Sequence, residues 1–479
     1  MSEKSTVVGY LPDEKPSMGK ALVFALQQFL VMLPATVLAA IIMNLNGMVI
    51  YSIPAAIFAS GIATIAFLFI TKFKIPLYYG SSFSYIPAVA IVVTFALDNG
   101  INDNKAVLGA IMIASILSGF MSIGAGLLIK YFGKDKIDKV LPGHITGMVA
   151  MIIGLSLAGD TLNGILNMTP ATNQAVDWLS VLVAIITFVT VSILTVVLKK
   201  GFISQVPILL GLAVGVCFSY LLWIPFSSNA GGYAAYFNGL NDGSTIKMLD
   251  VMPWQTLPAA FSNVSLIGVA ILAVFPIAFA TIPESAAHVN QIDLYVNDLA
   301  TQKGSNKHYD IANKLDANLI GDGIGDIVAV VLGGPAGTNY GENISASAVT
   351  KNFSSYVFLI TGVIAILIGS LLEVAGLGDL SLILTKPVVQ GISLYLFGAI
   401  AVQGIALMID KKVNVFDPKV IAVMAFIGIV GLGVGSITVT KTFILPGIGV
   451  AAFGGILLNL LLNGLEKLFV KKTDTDSKA

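Results

Sequence analysis

The chain contains no arginine; all 26 of its basic residues are lysine, which points to an AT-rich genome. Charged residues make up only 11% of its 479 positions, against about 25% in an ordinary soluble domain. A conventional soluble fold is therefore excluded. Acidic residues also number 26, so the formal net charge is zero and nothing suggests a nucleic-acid partner. The single cysteine, Cys217, excludes an internal disulfide and, lying in an apolar run, is expected to act as a small packed hydrophobe. The first twenty residues are polar and carry Pro12 and Pro16, so a cleavable signal peptide is not expected there. No zinc-ligand spacing, P-loop or G-x-S-x-G nucleophile motif occurs, and enzymatic chemistry and cofactors are not expected.

What the chain has in quantity is apolar length. Hydrophobic residues reach 56%, with a mean hydropathy of +0.90. Membrane-length runs fall near 20–43, 48–71, 82–98, 106–130, 140–158, 178–198 and 203–224. A polar loop spans 225–256. A second set follows near 257–289, 316–332, 344–350, 355–374, 382–409, 418–439 and 444–470. The lysines orient these runs. With the N-terminus inside, all but Lys105, Lys247, Lys386 and Lys441 fall in cytoplasmic segments, as the positive-inside rule requires. The expected fold is an all-α polytopic membrane protein of fourteen segments with both termini cytoplasmic. Two halves of seven segments must run in opposite directions, which makes an inverted repeat.

One stretch breaks the apolar pattern. Gly333 to Lys351 is rich in Gly, Thr, Asn and Ser and carries one carboxylate, Glu342. Non-helical backbone at membrane depth is tolerated only where protein buries it or a cavity meets it. An ionisable group there marks a functional site by default. The first half has a counterpart: Gly80-Ser81-Ser82-Phe83 matches Gly337-Thr338-Asn339-Tyr340, and each follows a proline, Pro76 or Pro335. Alternating Ser/Thr and aromatic residues suit short extended segments, and paired broken elements in the two halves point to a transporter binding site.

Glu284 and His288 are spaced i, i+4 and share one helix face. They end a run too long for one untilted span, so hydropathy leaves open whether Glu284 lies in the bilayer or at its inner edge. Such a pair could hold or pass a proton. His308 falls in a polar loop, and His144 is expected to cap or pack. Asp322 and Asp326 punctuate a glycine-rich segment and are read as bonding to backbone or lining the core. Gly431, Gly433 and Gly435 are read as close-packing residues, not a nucleotide loop.

Lys74-Ile75-Pro76-Leu77-Tyr78-Tyr79-Gly80-Ser81-Ser82-Phe83, Glu284-x-x-x-His288 and Gly337-Thr338-Asn339-Tyr340-Gly341-Glu342-Asn343 together resemble the nucleobase–ascorbate transporter family, specifically its bacterial uracil permease branch. Leu26-Gln27-Gln28 and Ala35-Thr36-Val37-Leu38 resemble the first span of those permeases, and the likeness covers nearly the whole chain. The resemblance implies a core domain of segments 1–4 and 8–11 (residues 1–135 and 257–375). It also implies a gate domain of segments 5–7 and 12–14 (residues 136–256 and 376–479). Short antiparallel strands would form at segments 3 and 10. The implied function is proton-coupled import of a nucleobase across the cytoplasmic membrane, often by a homodimer embedded in lipid.

Carried over by residue, Glu284 and Glu342 would bind the base and His288 would support Glu284, these three also carrying the proton. Backbone at Phe83 and Gly341 would complete the hydrogen bonding, and Tyr340 would line the pocket. The chemistry suits a flat ring with two N–H donors and two carbonyl acceptors. Three departures stand out: Gln28 replaces a family histidine, Thr350-Lys351 replaces Thr-Arg and loses a bidentate fork, and Asn290-Gln291-Ile292-Asp293 is unusually polar. The last leaves xanthine, or a mixed uracil–xanthine range, beside uracil. An anion transporter of the same seven-plus-seven architecture is the rival, although two carboxylates argue against an anionic substrate.

Overall fold

The computed structural model describes residues 9–44, 48–133, 141–166, 175–198, 206–240, 246–376, 384–440 and 443–476. Lys4, Lys134, Lys136, Lys139, Lys199, Lys200, Lys441 and Lys478 lie outside them. So do the span starts at 140, 203 and 382.

Helices α1 (Met18–Asn44) and α2 (Ile53–Ile70) open the chain. The Ser52 hydroxyl caps α2 and Pro54 occupies its first turn, where a missing N–H costs nothing. Past α2, Lys72 and Phe73 turn left-handed (φ 53° and 57°), and the chain runs extended through Pro76 into β1 (Tyr79–Ser81). A 3-10 turn, Phe83–Tyr85, leads into α3 (Ile86–Asp98), a helix of 13 residues that is followed by α4 (Asn104–Phe132), one of 29. Then come α5 (Gly143–Ile165), α6 (Trp178–Val197) and α7 (Pro207–Phe218), the last prolonged by a π-turn at Ser219–Trp223.

Two short helices follow, α8 (Gly232–Leu240) and α9 (Pro253–Phe261). The polar stretch 225–256, expected as a loop, is thus partly helical. Tyr236 of α8 packs edge-on against Trp223, Phe237 packs tilted against Tyr220, and Pro253 starts α9. Helix α10 (Val264–Val274) passes through a 3-10 turn at Pro276 into α11 (Ala278–Gln302). Glu284 and His288 therefore lie well inside a helix, not at the end of one.

Next are α12 (Leu315–Val331), β2 (Gly337–Asn339), α13 (Gly341–Thr350), α14 (Ser355–Val374), α15 (Lys386–Asp410) and α16 (Pro418–Gly433). Helix α16 stops short of the expected end at 439. Ser436–Thr440 alternates β-branched residues and forms strand β3, paired antiparallel with β4 (Phe443–Pro446). Helix α17 (Gly447–Asp476) closes the fold. Among the described residues, ten helical stretches are long and apolar enough to cross a membrane.

Strands β1 and β2 pair antiparallel, Tyr79 with Asn339, Gly80 with Thr338 and Ser81 with Gly337, and all six residues are buried. Around them, α2 packs between α12 and α14, and α4 lies along α12. The α4–α12 contact is close because Gly119 faces Gly323; a methyl on Gly323 would stand 2.3 Å from the Gly119 carbonyl oxygen. Helix α15 packs mainly on α5 and α6, and α16 on α17 and α5. Helix α7 presents Gly211 and Gly215 to α6, which leaves Cys217 on the outer face. It is exposed, not packed, because the glycine stripe chooses the buried side.

Candidate functional site

Glu342, Gly341 and Phe83 come from elements that begin beside the β1–β2 pair, and Glu284 and His288 from the interior of α11. Helix α13 begins at Gly341, directly after β2, so its first N–H groups lack intrahelical acceptors. Glu342 stands in that first turn, a favourable end for a carboxylate. The Ser82 hydroxyl caps the turn that carries Phe83.

Glu284 accepts a 3.3 Å hydrogen bond from the Ser84 hydroxyl, which ties α11 to the turn after β1. None of the four ion pairs among the described residues involves Glu284 or Glu342. His288 is buried, lies against the Asn339 backbone, and leaves Nδ1 without a hydrogen-bond partner among the described residues. Gly341 brings α13 close: a methyl there would stand 3.1 Å from His288 Nε2 and equally near both amide atoms of Gln403 on α15.

Two cavities flank this meeting point. A small one of about 190 Å³ is lined by Glu284, His288, Gln291 and Tyr295 on α11 and by Gln403 and Asp410 on α15. It runs toward the lysine-bearing ends of both helices, at Lys303 and at Lys411 and Lys412. A larger one of about 480 Å³ holds Glu342, with Ser345, Tyr395 and again Gln403. Gln403 borders both. Phe83 is buried and meets Phe397 of α15 edge-to-face at 5.1 Å.

Tyr340 sits behind the strands. Its ring packs under Gly80, and its hydroxyl pairs with Thr36 and donates to the Ser81 carbonyl, each at 3.0 Å. It touches neither cavity. Gln28 likewise works as a brace, donating to the Ser347 hydroxyl at 2.9 Å and accepting from Asn343 at 2.7 Å, which joins α1 to α13.

Asp322 and Asp326 anchor the strands. The Asp326 carboxylate accepts from the Tyr79 hydroxyl and the Gly337 N–H. Asp322 accepts from Asn339 at 2.9 Å and from the Ser285 hydroxyl, and Asn318 completes the cluster. Sequence reasoning missed Ser84, Ser285, Asn318 and Gln403. The one signal available for Gln403 was an amide in an apolar run, and Gln390 in the same helix gives the same signal.

Comparison with known proteins gives the family. A family model described as the permease family matches residues 19–442. The chain belongs to that family, the nucleobase–ascorbate transporters. It is 30% identical over 455 residues to a uracil permease of Bacillus caldolyticus, covering 94% of each chain. It is 27% identical to the uracil permease of Escherichia coli (strain K12), covering 97% of this chain and 96% of that one. Among solved structures, the transmembrane domain of the cyanobacterial bicarbonate transporter BicA shares its fold, with a TM-score of 0.53 at 13% identity, covering 92% of this chain and 96% of that one. The murine Solute Carrier 26 family member A9 anion transporter, in its inward-facing state, gives 0.55 at 11%, covering 95% and 69%.

Proposed function

We propose that this chain is a nucleobase symporter that imports uracil together with a proton across the cytoplasmic membrane. The observation that carries this reading is the convergence of Glu284, His288, Gly341 and Gln403 beside a cavity of about 190 Å³. That volume is below the roughly 300–1,000 Å³ of drug-sized pockets and suits one small ring. Two carboxylates without cationic partners accept ring N–H groups, and the free N–H groups opening α13 donate to ring carbonyls. Relatives named uracil permease support the base as substrate.

The membrane arrangement under this reading has fourteen segments: α1, α2, β1–α3, α4, α5, α6 and α7, then α10–α11, α12, β2–α13, α14, α15, α16 and α17. Lysines 72, 74, 130, 303, 314, 351, 411, 412 and 419 then all fall on the cytoplasmic side. The strands occupy the third segment of each inverted half. Segments 1–4 and 8–11 form a core, and segments 5–7 and 12–14 a gate; the close packing of α2 with α12 and α14, and of α15 with α5 and α6, supports that grouping. The base binds between core and gate when a proton is held on Glu284 or Glu342. Core and gate then shift, and base and proton leave through the Gln291–Tyr295–Asp410 side. Two copies forming a homodimer would fix the gate while the core moves.

Xanthine is a second reading, favoured by Gln291, whose side chain lines the cavity two turns from Glu284 and could meet a purine's further edge. The test is uptake of labelled uracil into proteoliposomes under an inward proton gradient, with unlabelled xanthine as competitor. Gradient-driven uptake that xanthine leaves intact supports the uracil symporter. Strong competition moves the assignment to a purine-accepting member, and uptake that follows sodium overturns proton coupling.

A further inference from the structure

We infer that Gln403 is a specificity-determining residue, its side-chain amide reading one N–H/C=O edge of the bound base from the α15 side; the inference rests on the nucleobase reading above. Leu396, Ala399, Ile400, Gln403 and Leu407 recur at helical spacing and form the face that α15 turns toward the two cavities. On that face Gln403 is the amide that borders both. It has no hydrogen bond to another side chain or to backbone among the described residues, whereas Gln28, Asn318, Asn339 and Asn343 each donate through their amide nitrogen. Both of its amide atoms lie against Gly341, and a methyl at Gly341 would stand 3.1 Å from each. The Gln403 amide thus stands between the cavity lined by Glu284 and His288 and the one lined by Glu342.

An amide offers one donor and one acceptor side by side, the complement of a lactam edge. A carboxylate can accept from a ring N–H but cannot donate to the adjoining carbonyl. Gln403 supplies a side-chain donor beside the N–H groups that open α13, and it does so from the helix opposite the strand pair. A site built to hydrogen-bond a substrate group rejects analogues that lack it, because its own polar atoms are then left unpaired. Gln403 thereby links recognition of the base to the helix that must change position around it.

The test is equilibrium binding of uracil, 1-methyluracil, 3-methyluracil, 2-thiouracil and 4-thiouracil to the purified full chain, compared among wild type, Gln403→Met and Gln403→Glu. In the wild type, altering either member of the edge that Gln403 reads weakens binding on the order of tenfold. In Gln403→Met the penalties at that edge shrink toward onefold while those at the other edge persist. In Gln403→Glu, which keeps an acceptor and loses the donor, the thio penalty shrinks and the methyl penalty stays. Identical penalties in all three proteins overturn the inference, provided they bind uracil. Failure of the wild type to bind any of these compounds overturns the nucleobase reading beneath it.

Discussion

The Tyr79 hydroxyl donates a 2.5 Å hydrogen bond to the carboxylate of Asp326, whose same oxygen accepts from the Gly337 N–H at 2.8 Å. One side chain of α12 thus holds residues of both strands. Gly325, one position before Asp326, leaves room for the Tyr79 ring, which a methyl there would approach within 2.8 Å.

Removing the hydroxyl separates this brace from the binding groups. Tyr79→Phe leaves Asp326 buried with one donor fewer, at an expected cost of about 1–3 kcal/mol. The measurement is the melting temperature in detergent, which should fall by several degrees. An unchanged melting temperature would show that the strands are held elsewhere.

Gln28 is expected to act through α13. In Gln28→Ala, Ser347 loses an acceptor-side partner and Asn343 keeps only the Gln28 backbone carbonyl, 2.9 Å away. Destabilisation of about 1–2 kcal/mol should appear with weaker uracil binding and an unaltered pH dependence of transport. A shifted pH profile would instead make this position part of the proton route.

Asp177 caps α6 and gathers donors from Ser227 at 2.6 Å, Ser180 at 2.7 Å and Trp223 at 2.9 Å. Partial burial pushes its carboxyl up, but the hydrogen bonds outweigh this and hold it below its ordinary value. A carboxylate depressed in the folded state contributes stability that is complete above the ordinary carboxylate range and is lost as pH falls below that range through the lower folded-state value. Melting temperature should therefore drop between pH 6 and pH 3, with part of the drop absent in Asp177→Asn. The same acid profile in both proteins would contradict the assignment.

Much of this was legible in the chain. The strand pair announced itself because Pro76 and Pro335 interrupt apolar runs and glycine with Ser or Thr follows each. Glu284 and His288 were legible from spacing, and Glu342 from being charged among small polar residues. Tyr340, an aromatic beside a binding motif, suggests a pocket wall, and its packing against the small Gly80 was not legible from that motif. Asp322 and Asp326 showed their charge but not their partners, since Tyr79 is 247 residues away along the chain. Gln403 was hidden because hydropathy does not say which face of α15 meets α11. The hairpin after Gly433 was hidden too, since β-branched residues are as apolar in a strand as in a helix.

The carboxylates carry the account, and equilibrium binding of labelled uracil to purified wild type, Glu284→Gln and Glu342→Gln tests them most directly. Each amide puts a donor-only nitrogen where a carboxyl oxygen stood, so an oxygen that can accept from a ring N–H is lost whichever carboxyl holds the proton. Affinity should fall on the order of 10- to 100-fold in each variant, while melting temperatures without ligand stay close to wild type. Full affinity in both variants, in protein that melts normally, would contradict the site.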